Sequence, residues 1–278
     1  MRNFAGRVVV ITGAGSGIGR ALAQNLAVRG ALLALSDVDE SGLAETVRRV
    51  RAAGAREVHS ERLDVSDRAA FATYAESVAS RFGRVNVLIN NAGVALDGAF
   101  LEVGYEDMDW IMGVNFWGVV HGTKCFLPHL IASGDAHIVT VSSLFGLLSV
   151  PNQSLYNASK YAVRGLTESI RQEMLLAGHP VGVTVVHPGG VRTGIARNGR
   201  SAGTRSAADV EAANRHFEEK LARTSAERAA EIILTGVEKN RARVLVGADA
   251  HVLHGFAKFT GSRYQDIFAR FFERVTSR

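Results

Sequence analysis

Short apolar or β-branched runs recur along the chain: RVVVIT at 7–12, ALLALSD at 31–37, EVHSERLD at 57–64, VNVLIN at 85–90, HIVTVSS at 137–143, VGVTVVHP at 181–188 and RVLVG at 243–247. Longer segments with helical patterning separate them. Strand-like runs alternating with helices predict an α/β fold, a parallel sheet of about seven strands with helices on both faces. Right-handed crossovers make such a sheet doubly wound, and its ligands collect at the carboxyl ends of the strands.

No shift of composition and no Pro/Gly/Ser linker divides residues 1–190, so the core is predicted to be one unit. Beyond Pro188 the rhythm breaks. Residues 194–222 are polar and rich in Arg and Ala, and are expected to form a mobile substrate lid within a catalytic domain spanning 1–250. Thr224-Ser225-Ala226-Glu227 then reads as a capping box that starts the next helix. In the C-terminal extension, 251–278, Ile267, Phe268, Phe271, Phe272 and Val275 recur at helical spacing, with Arg270, Glu273 and Arg274 on other faces. An amphipathic stripe of this kind packs against its own domain, a subunit or the mouth of a site more often than it lies on a membrane.

Composition narrows the function classes. With 47% hydrophobic and 21% charged residues over 278 positions, the chain is an ordinary globular protein that can bury about three-quarters of its unfolded surface. The formal charge of +5 is scattered, without a dense Lys/Arg block, so nucleic acid is not the expected partner. One cysteine, Cys125, excludes an intrachain disulfide and a Cys-cluster metal site, and its apolar neighbours Phe126 and Leu127 point to a buried, inert thiol. The nine histidines form no His-x-x-x-His pattern, and no metal is expected. Without a signal-like apolar region near the start or an apolar stretch of 18, the expectation is a cytoplasmic protein that does not span a membrane.

TGAGSGIG at 12–19 closes the first predicted strand and opens the first helix, the context that makes a glycine-rich turn informative. Gly13, Gly17 and Gly19, with Ser16 and Ile18 in the same turn, allow backbone to approach a pyrophosphate whose charge the helix N-terminus stabilises. The spacing is G-x-x-x-G-x-G rather than G-x-G-x-x-G, and a purely structural strand-to-helix turn is the alternative. The second strand ends at Asp37, eighteen residues after Gly19, where a carboxylate can accept hydrogen bonds from both ribose hydroxyls. A 2′-phosphate there would meet like charge, with no Arg or Lys at 16 or 38, so NAD is expected over NADP. Asp37 also fits a strand-end turn or a helix cap, as do Asp39 and Ser41.

In order and spacing, TGAGSGIG at 12–19, Asp64-Val65, Asn90-Asn91-Ala92-Gly93, Asn115, Ser143, Tyr156 with Lys160, and Pro188-Gly189 resemble the short-chain dehydrogenase/reductase family, the compact single-domain type, over about residues 5–250. The resemblance implies a Rossmann-type, NAD-binding oxidoreductase. It implies that Asp64 and Val65 contact the adenine and that Asn91, Ala92 and Gly93, with Pro188 and Gly189, line the cofactor. Val191 and Thr193 would hold its carboxamide and phosphate ends. A homodimer or homotetramer formed through the helices carrying Asn115 and Tyr156 is also implied.

Tyr156 and Lys160 stand four apart in SLYNASKYAVRGLTESIRQEM, whose helix formers put both on one face. A tyrosine near its ordinary pKa of about 10 is a poor base at neutral pH, but a neighbouring ammonium and an oxidised nicotinamide favour phenolate, and a fall of about two to three units is expected. Ser143 ends the fifth strand thirteen residues before Tyr156, so both hydroxyls can meet over one substrate oxygen. By the resemblance, Ser143 orients that oxygen, Tyr156 exchanges the proton, Lys160 also holds the nicotinamide ribose, and Asn115 positions a water linking Lys160 to solvent. Taken singly, each has a plainer reading: a surface aromatic, a solvated charge, a turn hydroxyl, a buried polar hinge.

Between Ser143 and Tyr156 runs LFGLLSVPNQSL, where Leu144, Leu147, Leu148 and Val150, with Val94, Ala95 and the 194–222 segment, predict an apolar substrate wall. This favours a steroid-like, retinoid-like or long-chain alcohol or ketone, unless those leucines simply pack the core. Two other functions compete. Asp37 argues against an NADPH-dependent ketoacyl reductase, and the complete set of Ser143, Tyr156 and Lys160 argues against an NAD-binding regulator without turnover.

Overall fold

The computed structural model describes residues 3–203 and 222–276 and, between them, 211, 215 and 219. All seven apolar runs become strands of one sheet: β1 (Val8–Thr12), β2 (Leu32–Asp37), β3 (Val58–Arg62), β4 (Val87–Asn90), β6 (Ala136–Val141), β7 (Val181–Pro188) and β9 (Arg243–Val246). Two further strands, β5 (Leu96–Asp97) and β8 (Arg200–Ser201), pair only with each other. The main sheet has the order β3-β2-β1-β4-β6-β7-β9, and every pairing is parallel. The order reverses between β1 and β4, the switch point at which doubly wound sheets bind ligands.

Helices cover both faces, which is why β1, β4 and β6 are buried along their whole length. On one face α1 (Gly17–Val28), α2 (Glu40–Ala52) and α7 (Ala226–Glu238) bring Leu22, Leu26, Val47, Ile233 and Leu234 against the sheet. On the other, α3 (Arg68–Phe82), α5 (Gly118–Ala132) and α6 (Ser154–Leu176) bring Phe71, Tyr74, Phe126, Leu130 and Met174. Asp39 caps α2 by accepting from the Ser41 N–H, and Asp67 caps α3. Helix α7 starts one residue later than a capping box at Thr224 would place it: Ser225 is the N-cap, accepting from the Arg228 N–H, while Thr224 bridges to Val191.

Helix α4 (Tyr105–Met112) runs into α5 through a π-helical turn, Gly113–Trp117, that carries Asn115. Single π turns inside helices often mark functional sites. After β7, residues 194–203 are tied down. The β8 strand adds to β5, and the Arg200 guanidinium lies 4.1 Å over the Trp110 ring while its Nη1 reaches an Asp107 carboxylate oxygen at 2.8 Å. Most of the expected lid beyond 203 lies outside the described residues.

The C-terminal extension folds as α8 (Ala248–Thr260), a 3₁₀ turn and α9 (Tyr264–Thr276). Ala250, Ala257 and Tyr264 pack with Leu144 and Leu148, and Phe268 stacks on Phe256 at 6.1 Å. Ile267 and Phe271 face outward, and the side chains of Phe272 and Val275 lie outside the described residues. No helix among the described residues is long and apolar enough to cross a membrane. Cys125 is half-buried, and burial raises its thiol pKa, in keeping with an inert thiol.

Candidate active site

The glycine turn and the loop after β4 are fitted to one another. Gly13 has φ +64°, and a Cβ there would come within 2.7 Å of the Ala92 Cα, so only glycine fits at this position. Thr12 Oγ1 accepts the N–H groups of both Asn91 and Ala92 at 3.1 Å, while Asn91 Nδ2 donates to the carbonyls of Thr12 and Gly13. These bonds fix Asn91, Ala92 and Gly93 beside the turn. Ser16 begins α1 without a side-chain cap, and Thr193 lies against Gly17, since a Cβ on Gly17 would meet Thr193 Cγ2 at 3.1 Å.

Asp37 does not cap a helix; Asp39 does. The Asp37 carboxylate accepts the Gly15 N–H at 2.7 Å and the Asp39 N–H at 2.9 Å, which aims it at the glycine turn. Each oxygen keeps a lone pair for another donor. Asp64 instead turns to Ser66, accepting from its N–H and hydroxyl, and Val65 is buried beneath Gly118. The Pro188-Gly189 turn is held at Gly190, whose N–H donates to Asp249 Oδ2 at 2.6 Å, and Val191 is buried beyond it.

Ser143, Tyr156 and Lys160 converge beyond the carboxyl end of β6. Ser143 is extended and caps a 3₁₀ turn, its Oγ accepting the Phe145 N–H at 3.1 Å. Tyr156 and Lys160 share one face of α6 and are only 9% and 3% exposed. Lys160 Nζ lies 5.6 Å from the Tyr156 ring centroid and 3.3 Å from the Val141 carbonyl, and a Cβ on Gly93 would touch it at 3.2 Å. Burial lowers the Lys160 pKa to about 8, so the amine is still charged at neutral pH.

Burial raises the Tyr156 pKa, and the adjacent Ser143 hydroxyl only partly opposes this. The expected depression is therefore not a property of the chain alone. Neighbouring charge was legible in the sequence, whereas the desolvation that outweighs it was not.

Asn115 ties two of these elements together. Its Oδ1 accepts the Val94 N–H at 2.8 Å, and its Nδ2 donates to the Val94 carbonyl at 3.0 Å and to Ser159 Oγ at 3.1 Å. With both amide hydrogens engaged, the side chain clamps the β4 loop to α6 and has none left to donate to a water.

The apolar surroundings are redistributed relative to the sequence. Leu144 and Leu148 pack against the C-terminal helices, so they form the back of the wall. Tyr156 instead belongs to an apolar cluster with Leu96 and Ala202, against which Val94, Ala95, Phe145 and Leu155 pack, and Phe145 meets its ring edge-on at 6.3 Å. Several supporting residues escape sequence reasoning. Ser142 Oγ donates to the Lys160 carbonyl at 2.8 Å, Ser159 Oγ to the Tyr156 carbonyl at 2.8 Å, and Tyr264 accepts the Ser149 N–H at 3.0 Å. Ser142, beside Ser143, and Ser159, beside Lys160, have neighbours in the sequence that mark them, whereas Tyr264 has none.

Comparison with known proteins places this arrangement. The short chain dehydrogenase family profile matches residues 7–203. A Mycobacterium tuberculosis protein bearing the name oxidoreductase SadH is 54% identical over 269 residues, 97% of this chain and 96% of its own. The human epidermal retinol dehydrogenase 2 is 38% identical over 195 residues, 70% of this chain and 63% of that one. The crystal structure of a short chain dehydrogenase/reductase from Burkholderia phymatum, in complex with NAD, superposes with a TM-score of 0.87 at 36% identity, covering 95% of this chain and 97% of the other. The chain belongs to the short chain dehydrogenase family, and is an oxidoreductase acting on CH–OH groups.

Proposed function

We propose that the protein interconverts a hydrophobic alcohol and its ketone or aldehyde with NAD as the cofactor. The observation that carries this reading is the convergence of Ser143, Tyr156 and a buried Lys160, which no carboxylate pairs among the described residues. A nicotinamide dinucleotide fits the residues present. The uncapped start of α1 at Ser16, faced by Thr193, suits a pyrophosphate, and the Asp37 carboxylate beside Gly15 suits the adenosine ribose. Gly13, Gly17, Ile18 and Gly19 shape that turn, Asn91 to Gly93 flank it, and Asp64, Val65, Pro188, Gly189 and Val191 are assigned to the remaining cofactor contacts.

Bound, the cofactor supplies the hydride acceptor or donor. Ser143, whose oxygen already accepts from Phe145, has one hydroxyl hydrogen, which can turn from the Tyr156 oxygen to the substrate oxygen. Tyr156 gives or takes the proton at that oxygen. Its burial keeps the phenol protonated in the chain alone, the form needed for reduction. For oxidation, Lys160 supplies positive charge over the ring and can reach a ribose hydroxyl from the same position.

The hydrophobic substrate class is supported by the apolar cluster that contains Tyr156, with Val94, Ala95, Phe145 and Leu155 packed against it, and by the similarity to a retinol dehydrogenase. The 194–222 segment is assigned as the lid, and assembly as a homodimer or homotetramer through the helices carrying Asn115 and Tyr156. A panel of hydrophobic primary and secondary alcohols with NAD, followed by absorbance of the reduced nicotinamide, tests the reading. Turnover with at least one of them is expected. Binding of NAD without turnover across the panel would favour a regulator, and preference for NADPH with a carrier-linked ketoacyl substrate would favour a ketoreductase.

A further inference from the structure

We propose that His187 is a positioning residue for Ser143, an inference that rests on the role proposed above for the Ser143 hydroxyl. Residue 187 lies in β7 next to Pro188 and is fully buried. Its Nδ1 stands 2.8 Å from the Ser143 carbonyl oxygen. A carbonyl only accepts, so the proton is on Nδ1 and the ring is its donor. Burial keeps the imidazole neutral by lowering its pKa to about 4.

The bond takes over where the sheet stops. Just past the end of β6, Ser142 is still tied to β7 through the backbone, its N–H donating to the Val186 carbonyl at 2.8 Å. One residue further on, the Ser143 carbonyl receives the Gly146 N–H at 3.0 Å and the His187 ring. Packing alone does not account for an imidazole at this point. Nε2 is buried with no hydrogen-bond partner among the described residues, and an unsatisfied polar nitrogen is costlier to bury than a Leu side chain. What the ring supplies is the tie to Ser143, which fixes the main chain from which the hydroxyl projects. Because that hydroxyl acts most strongly when charge develops on the substrate oxygen, loosening it lowers kcat more than it changes KM.

The test uses the full chain with NAD and the member of the 2-butanol to 2-decanol series that it oxidises fastest. It compares His187→Leu, His187→Asn, Ser143→Ala and the double variant Ser143→Ala/His187→Leu. Asparagine places an N–H on the same Cγ that bears Nδ1. His187→Leu is expected to lower kcat about 10- to 100-fold with KM within about threefold, and His187→Asn to recover most of the loss. Added to Ser143→Ala, His187→Leu should lower kcat by less than about threefold more, because both act through one group. Wild-type kcat in His187→Leu, an Asn variant as slow as the Leu variant, or an equal loss with and without Ser143 overturns the inference and leaves Ser143 in place. Wild-type kcat in Ser143→Ala removes both. If the Leu variant does not fold or no alcohol of the series reacts, nitrogen NMR of the wild type decides: His187 must carry its proton on Nδ1, and an Nε2–H tautomer contradicts the proposal.

Discussion

The Lys160 ammonium lies over the face of the Tyr156 ring, 5.6 Å from its centroid, and both groups are buried. A buried cation without a carboxylate partner weakens the fold unless something else needs it there. Burial lowers its pKa from 10.5 to about 8, which corresponds to about 3 kcal/mol of differential stabilisation.

Lys160→Met should therefore stabilise the cofactor-free protein at pH 7 by about 1–3 kcal/mol while abolishing turnover. Between pH 8 and 10.5 the unfolded chain binds more protons at residue 160 than the folded chain does, so wild-type stability rises with pH through that window. The advantage of the Met variant should be full below pH 8 and gone above 10.5. Denaturant titrations at pH 7 and pH 10.5 check this, and a Met variant that is less stable at pH 7 would show that the charge is compensated in the fold.

Asp37→Ala should weaken NAD more than NADP, because the lost carboxylate accepts from ribose hydroxyls and repels a 2′-phosphate. The change also frees the Gly15 N–H, now held at 2.7 Å, so both cofactors should lose some affinity while their ratio shifts toward NADP by about tenfold or more. Fluorescence titration with the two reduced cofactors measures the ratio, and an unchanged ratio removes Asp37 from the ribose site.

Truncation after residue 251 keeps Asp249 on the Gly190 N–H but removes Ala257, Tyr264 and Phe268 from the back of Leu144 and Leu148. NAD affinity should stay within about threefold, since the described tail contacts leave the glycine turn untouched. KM for a hydrophobic alcohol should rise about tenfold or more as the 144–150 wall loosens. Tyr264→Phe, which removes only the acceptor for the Ser149 N–H, should show a smaller change in the same direction.

The alternation of runs and helices was sufficient to place all seven strands: the inner strands are apolar because they are buried on both faces, while the edge strand β3, VHSER, is marked by its place in the alternation and not by burial. The chemistry-bearing residues were legible for a related reason: Gly13, Asp37, Asn91 and Ser143 each stand at or just past the carboxyl end of a strand, where a doubly wound sheet gathers ligands. What holds them was not. The ties from Tyr264 to Ser149, Asp249 to Gly190 and His187 to Ser143 join residues 115, 59 and 44 positions apart, and nothing local says that the two members of each pair will meet. Desolvation of Tyr156 and the turning of Leu144 and Leu148 toward the tail belong to the same class, because both depend on what packs above a side chain and not on its neighbours in sequence.

The proposed chemistry stands most directly on the Tyr156 hydroxyl. Tyr156→Phe removes that oxygen and leaves the ring in contact with Phe145 at 6.3 Å and under the Lys160 ammonium. In the folded variant, NAD affinity should stay within about threefold and kcat for the best alcohol substrate should fall at least about 100-fold, the range that general acid–base catalysis supplies. A folded, NAD-loaded Tyr156→Phe protein that turns over the same alcohol at near the wild-type rate would contradict it.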